Sequence, residues 1–282
     1  MSARRLLMCK PTYFDLEYAI NPWMKTGDKV DKAKAERQWH HLYRVLHEKA
    51  GADVRVLTPP QSALHVPDLV FTANAGVVRN GLICMSMMYN VERRKEEPIF
   101  ETWFRQNGYR IVKLAEQFDQ KLAFEGAAEA DFMGGMDYSL CIGSYGQRTC
   151  KHVFKVLSER LNTDHKNSFR TVLLRLVNPK FYHLDLAFLP LSRNTALWYP
   201  GAFDVHSQET LKKENIELIQ VHAADAEKFV CNGVVVGKQV VLPAHNDATA
   251  NMLVKRGYSV HLADVSEFMK AGGAVKCLTL RI

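Results

Sequence analysis

A few residues, far apart in this chain, could do covalent chemistry together. Cys277 sits between a glycine pair, Gly272-Gly273, and the run Leu278-Thr279-Leu280. His183 and Asp185 share the stretch His183-Leu184-Asp185-Leu186, Glu125 precedes Gly126, and Asp68 and Asn74 bracket Leu69-Val70-Phe71-Thr72-Ala73. A cysteine with a histidine partner is a route to an activated thiolate. The same imidazole can protonate a departing amine and then activate a water. Carboxylates suit a planar guanidinium, whose five N–H donors form forks that match carboxylate oxygens. Alone, each residue has a plainer explanation: a cysteine packs as a small hydrophobe, a carboxylate caps a turn. Their recurrence at equivalent points of the chain gives them weight.

Those points are set by a repeating order of elements. Residues 29–50 carry Trp39, Leu42, Tyr43 and Leu46 at helical spacing, with Gly51 as a stop, and a strand follows at 54–57. Helices are expected again at 91–107, 149–162, 207–214 and 246–256, with strands after them at 110–114, 171–177, 216–221 and 258–263. Between these lie hairpins: a polar residue, an apolar strand, a turn and a second apolar strand. The turns fall at Asn80-Gly81, Gly134-Gly135 (before Tyr138), Arg193-Asn194 and Gly237-Lys238. The polar starters are Asp68, Glu125, Asp185 and Asn232, and Cys277 begins the last unit on a short strand. A module of about 45–60 residues used five times predicts a pseudo-symmetric ring of helix-plus-hairpin units, with strand starts aimed at one central cavity.

Composition excludes several classes of function. The chain has 282 residues, enough for a large core, with 37 Lys and Arg scattered among 30 Asp and Glu. That +7 balance forms no basic patch interleaved with aromatics, so nucleic-acid binding is not expected. No apolar run approaches the ~20 residues of a membrane span. Arg4-Arg5 near the start is not followed by a long apolar region, so no secretion signal is read. Six cysteines without a C-x-x-C pair suit reduced thiols in a cytoplasm and give no zinc-ligand spacing. No metal or organic cofactor is expected.

With the motifs Pro67-Asp68-Leu69-Val70-Phe71-Thr72-Ala73-Asn74, Phe124-Glu125-Gly126, Gln147-Arg148-Thr149, His183-Leu184-Asp185 and Gly272-Gly273…Cys277-Leu278-Thr279 in order, the chain resembles the guanidine-modifying enzymes of the pentein superfamily. These include arginine deiminases, dimethylarginine dimethylaminohydrolases and amidinotransferases. The resemblance covers nearly the whole chain. It implies an α/β fold, a five-bladed pentein propeller, as one domain over residues 1–282. It also implies Cys277 as nucleophile, His183 as acid and base, and Glu125 with Asp185 orienting a guanidinium. Asp68 joins this substrate-binding set, and Arg93 (or its neighbour Arg94) and Arg148 would grip the substrate carboxylate. The implied partner is a small guanidino amino acid; a homo-oligomer is left open.

The opening Met8-Cys9-Lys10-Pro11-Thr12-Tyr13-Phe14 and Tyr18-Ala19-Ile20-Asn21-Pro22-Trp23-Met24 is similar to that of bacterial arginine dihydrolases, where Asn21 would lie near the substrate. Those enzymes also carry asparagine at Asn74, where deiminases and dimethylarginine hydrolases usually carry aspartate. An amide donates as well as accepts, so it could hold a neutral ureido group as well as a cation. The resemblance thus implies two hydrolyses in one site, from arginine through citrulline to ornithine, ammonia and carbon dioxide. Dimethylarginine hydrolysis, amidino transfer to an amine, and a non-catalytic binding pentein are the alternatives.

Overall fold

Strand β1 (Arg5–Cys9) leads through an irregular segment to helix α1 (Lys32–Arg44) and strand β2 (Asp53–Leu57). The Asp31 carboxylate starts α1 by accepting from the Lys34 backbone N–H at 2.9 Å, which satisfies one of the orphan donors at a helix start. The helix buries Ala35, Gln38, Trp39 and Leu42, the face expected from its spacing, and ends in a π-helical turn over Val45–Lys49. The computed structural model describes residues 4–25, 27–114, 122–133, 139–162 and 168–282. The turn expected at Gly134-Gly135 and Tyr138 lies outside the described residues.

The remaining modules follow one plan. β3 (Gly76–Arg79) pairs antiparallel with β4 (Leu82–Met85), and α2 (Glu96–Gln106) connects β4 to a parallel β5 (Arg110–Lys113). β6 (Ala130–Met133), β7 (Leu140–Tyr145), α3 (Val153–Leu161) and β8 (Arg170–Arg175) repeat it. So do β9 (Phe188–Pro190), β10 (Thr195–Trp198), α4 (Val205–Lys212) and β11 (Glu217–Gln220). After the short α5 (Ala223–Ala226) come β12 (Val234–Val236), β13 (Gln239–Pro243), α6 (Asp247–Lys255) and β14 (Ser259–Ala263). The Asn80-Gly81 turn has positive φ at both residues, 51° and 72°, as a two-residue primed hairpin requires.

The first sheet is built from both ends of the sequence. After α7 (Ser266–Met269), β15 (Leu280–Arg281) pairs antiparallel with β1, Leu7 opposite Leu280 and Leu6 opposite Arg281, while β1 pairs in parallel with β2. The result among the described residues is a mixed α/β fold of five small sheets, each of three strands. One apolar cluster runs from Leu6 and Trp39 to Val240, Phe268 and Leu278, tying the first module to the last.

Two expectations need correction. The apolar runs after Asp68 and His183 are not strands. Pro67–Val70, Thr72–Ala75 and Leu184–Leu186 are short 3-10 turns, and a further one, Gly126–Ala128, follows Glu125. Their tight i→i+3 bonds, such as Phe71 N–H to Asp68 O at 2.9 Å, satisfy backbone groups buried away from any sheet. Likewise Cys277 precedes its strand: it sits in the turn ahead of β15.

Candidate active site

These turns deliver their polar side chains to one place. A cavity of about 20 Å³, room for roughly one water, is lined by Asn21, Asp68, Asn74, Arg93, Arg148, His183 and Cys277. Gly273 lets the walls meet, since a Cβ there would stand 2.4 Å from the Phe71 ring and 3.1 Å from the Cys277 Cβ. Its lining is tied together by Asn21 Nδ2 donating to Ala271 O at 3.0 Å and Tyr182 Oη donating to Gly272 O at 2.7 Å. A larger cavity of about 590 Å³ elsewhere is lined by Arg4, Arg79, Asp131, Lys276 and Arg281 among others, and by no cysteine or histidine.

His183 and Glu125 form a buried pair, with Nε2 and Oε2 2.7 Å apart. Burial alone would raise the Glu125 carboxyl; the Arg148 guanidinium, then His183, reverse this and hold it at about 2. Burial also dominates at His183 and depresses it to about 4, against the pull of Glu125. The imidazole is therefore neutral near pH 7. Glu125 is fully engaged: Arg148 Nη1 donates to Oε2 at 3.0 Å and to Oε1 at 3.2 Å, and the Tyr89 N–H donates to Oε1 at 3.2 Å.

The Cys277 thiol donates to Asp185 Oδ2 at 3.5 Å and accepts from Asn232 Nδ2 at 3.1 Å. Burial, then the Asp185 charge, push it well above the ordinary thiol range, so Cys277 rests as a thiol. Burial likewise raises Asp185 to about 7, with Lys276 and the thiol pulling against it. Asp185 Oδ1 and Asp68 Oδ1 are both buried without a hydrogen bond of good geometry, the Tyr18 hydroxyl being the neighbouring group at Asp68.

The two expected carboxylate-gripping arginines also face the cavity, and both are engaged. Arg93 is only 4% exposed, not on an open helix face. It forks onto Glu96 at 2.6 and 2.8 Å, donates to Asn74 Oδ1 at 3.0 Å and lies 3.6 Å from Asp68 Oδ2. Arg148 donates to Ile20 O at 2.9 Å besides Glu125, and its guanidinium stacks on Tyr182 at 4.9 Å. Asn74 Nδ2 donates to Glu125 O at 3.0 Å, so its amide orientation is fixed from both sides. Among the described residues no group of three or more His, Cys, Asp or Glu could hold a metal ion, and no helix is long and apolar enough to cross a membrane.

Residues 10–282 match the family described as "N,N dimethylarginine dimethylhydrolase, eukaryotic". The chain belongs to this dimethylarginine dimethylhydrolase family. It is 38% identical, over 99% of its length, to the bifunctional arginine dihydrolase/ornithine cyclodeaminase AgrE of Nostoc sp., covering 38% of that protein. It is 33% identical to the N(G),N(G)-dimethylarginine dimethylaminohydrolase of Mycobacterium tuberculosis over 99% of this chain and 86% of that one. The N-terminal domain of ArgZ, an arginine dihydrolase from cyanobacteria solved bound to product, superposes with TM-score 0.90 at 35% identity, covering 99% of this chain and 97% of that one. Its fold is the pentein fold, and this chain shares it. The chain spans less than two-fifths of the length of the two bifunctional relatives.

Within this family member, all nine residues singled out by sequence sit at or beside the one cavity: seven line it, Asp185 reaches it through Cys277, and Glu125 reaches it through His183 and Arg148. Sequence reasoning missed two buried polar groups. Glu129 lies 4.0 Å from His183 Nε2 and accepts from Ser144 Oγ and from the Leu184 N–H. Burial, with the Glu125 and Asp185 charges, raises its carboxyl well above the usual carboxylate range. Its signal was the spacing Glu125-Gly126-Ala127-Ala128-Glu129, where a 3-10 turn folds the second carboxyl back beside the first. Asn232 was visible only as a module starter, where Asn-Gly reads as a turn.

Proposed function

We propose that this chain is a cysteine-dependent hydrolase of the arginine guanidine group, an arginine dihydrolase yielding ornithine, ammonia and carbon dioxide. The observation that carries this reading is the pair of buried oxygens without a hydrogen bond of good geometry, Asp68 Oδ1 and Asp185 Oδ1, beside a cavity that Cys277 and His183 share. An unsatisfied buried acceptor costs about 1–3 kcal/mol. A guanidinium, with five donors in a plane, would satisfy both. We also read the five sheets as blades of a closed ring in one domain over 1–282, supported by the β1–β15 pairing.

In this mechanism Asp185 and Asp68 hold the guanidinium. Glu125, with both oxygens engaged, orients His183 instead. The arriving cation favours the thiolate by attraction. Cys277 Sγ gives up its proton to His183 and attacks the central guanidine carbon. His183 passes that proton to the leaving nitrogen, which departs as ammonia and leaves an amidino-thioether. A water then attacks the same carbon, its proton goes to His183, and the C–S bond breaks to return the thiolate and citrulline. Repeating the cycle on the ureido carbon expels a second ammonia and leaves a thiocarbamate. Water converts that to the N-carboxylate of ornithine, which loses carbon dioxide. In total, arginine and two waters give ornithine, two ammonia and carbon dioxide.

Asn74 supports the second cycle. Its Nδ2 has two hydrogens and spends one on Glu125 O, leaving one to donate to a neutral ureido oxygen. A buried site also limits access of stray nucleophiles to the thioether. The second reading, hydrolysis of dimethylarginine to citrulline and dimethylamine, is favoured by the family match and the mycobacterial relative. Incubation with arginine, citrulline and dimethylarginine separates them. Ornithine from both arginine and citrulline is expected; turnover of dimethylarginine alone would overturn the dihydrolase reading.

A further inference from the structure

Resting on the assignment of Cys277 as nucleophile, we propose that Asn232 is a positioning residue that holds the Cys277 sulfur and favours its thiolate. Its carboxamide is buried and fully used. Oδ1 accepts from the Cys277 N–H at 3.1 Å and the Ala274 N–H at 3.2 Å. Nδ2 donates to Cys277 Sγ at 3.1 Å and to Asp185 O at 3.2 Å. The Asn232 main-chain carbonyl accepts from the Lys276 N–H at 3.0 Å. One side chain thus ties the nucleophile's backbone, its sulfur and the neighbouring carboxylate residue into a single unit. Two acceptor sites and two N–H donors at this reach are what asparagine supplies; aspartate keeps the acceptors and loses the donors.

The residue is itself held by an unusual turn. Phe229 has φ 60°, rare for a bulky side chain, and its carbonyl accepts from the Asn232 N–H at 2.8 Å. Strain of this kind collects where a side chain must be aimed. The electrostatic consequence follows from the donor on sulfur. A hydrogen bond to an ionised acceptor is about twice as strong as one to its neutral form, so the Nδ2–H···Sγ contact favours S⁻ over S–H. Burial and Asp185 press the other way, and the Asn232 donor counters them at the same atom.

The test is the pH dependence of Cys277 alkylation by chloroacetamidine, a cationic reagent of guanidinium size, followed by mass spectrometry of the Cys277 peptide in the full chain. Asn232→Asp retains both acceptors for the loop, and Asn232→Ala (or Asn232→Leu, should that variant not fold) removes the donor without adding charge. The alkylation midpoint is expected to rise by at least about one pH unit in both the acidic and the neutral variant, a tenfold slower reaction below it. A midpoint that rises only in Asn232→Asp would trace to the added charge, and an unmoved midpoint with a lowered melting temperature would trace to loop anchoring. Either would overturn the proposal. Alkylation needs no turnover, so arginine hydrolysis by a Cys277→Ser variant would sink the nucleophile reading and leave the midpoint result standing.

Discussion

In the proposed reaction Asn74 separates two outcomes through one atom. Arg93 fixes its oxygen and Glu125 O takes one of its N–H groups. Asn74→Asp would set a carboxylate oxygen against that carbonyl and remove the donor offered to a ureido oxygen. The expected result is a product shift from ornithine to citrulline, read by amino-acid analysis; unchanged ornithine yield would remove the role given to Asn74. Asp185 carries a pH prediction. Burial raises it to about 7 in the free protein, and the proposed role of holding a guanidinium requires it to be ionised. kcat/KM for arginine should therefore fall about tenfold per pH unit below that value. kcat should hold to lower pH, because the bound cation keeps Asp185 ionised. A kcat/KM flat through this range would count against Asp185 as a guanidinium ligand. That Cys277, His183, Glu125 and the two aspartates converge was legible from their recurrence at equivalent points of the modules. Asn232 and Glu129 were not, since their roles come from turns that bring buried amides and carboxyls together.

At the scale of elements, the walls of the site depend on what the turns leave out. Gly273 has the Phe71 ring 2.4 Å from where a Cβ would be, and that ring is itself braced edge-on by Phe14 with centroids 5.9 Å apart. Gly273→Ala is expected to lower stability by about 1–3 kcal/mol through overpacking. It should also cost activity, since the other neighbour of that Cβ is the Cys277 Cβ. Thermal melts and kcat measured together check this; a variant unchanged in both would show that the walls can part freely. The helices were readable from local amphipathic spacing, as in Trp39 and Leu42, and the Asn80-Gly81 hairpin from its turn chemistry. The runs after Asp68 and His183 were misread because a short apolar run has no length to distinguish a strand from a tight turn.

For the whole molecule, the sheet that joins the two ends was the least legible part. Neither Arg5–Cys9 nor its pairing with Leu280–Arg281 has a local signal, because the partners are separated by nearly the full sequence. If residues 1–282 are one domain, that sheet and the shared apolar cluster should make unfolding cooperative. Tryptophans 39, 103 and 198 sit in different modules and should report one denaturant midpoint together with far-UV circular dichroism. Separated midpoints would divide the chain.

One site acting twice on the same carbon is the claim on which the reaction depends. It is tested by supplying arginine with ¹⁵N in both terminal guanidine nitrogens and counting labelled ammonium per amino-acid product. Two labelled ammonium ions for each ornithine are predicted, with citrulline only transient. A single labelled ammonium, with the second label retained in accumulating citrulline, would contradict it.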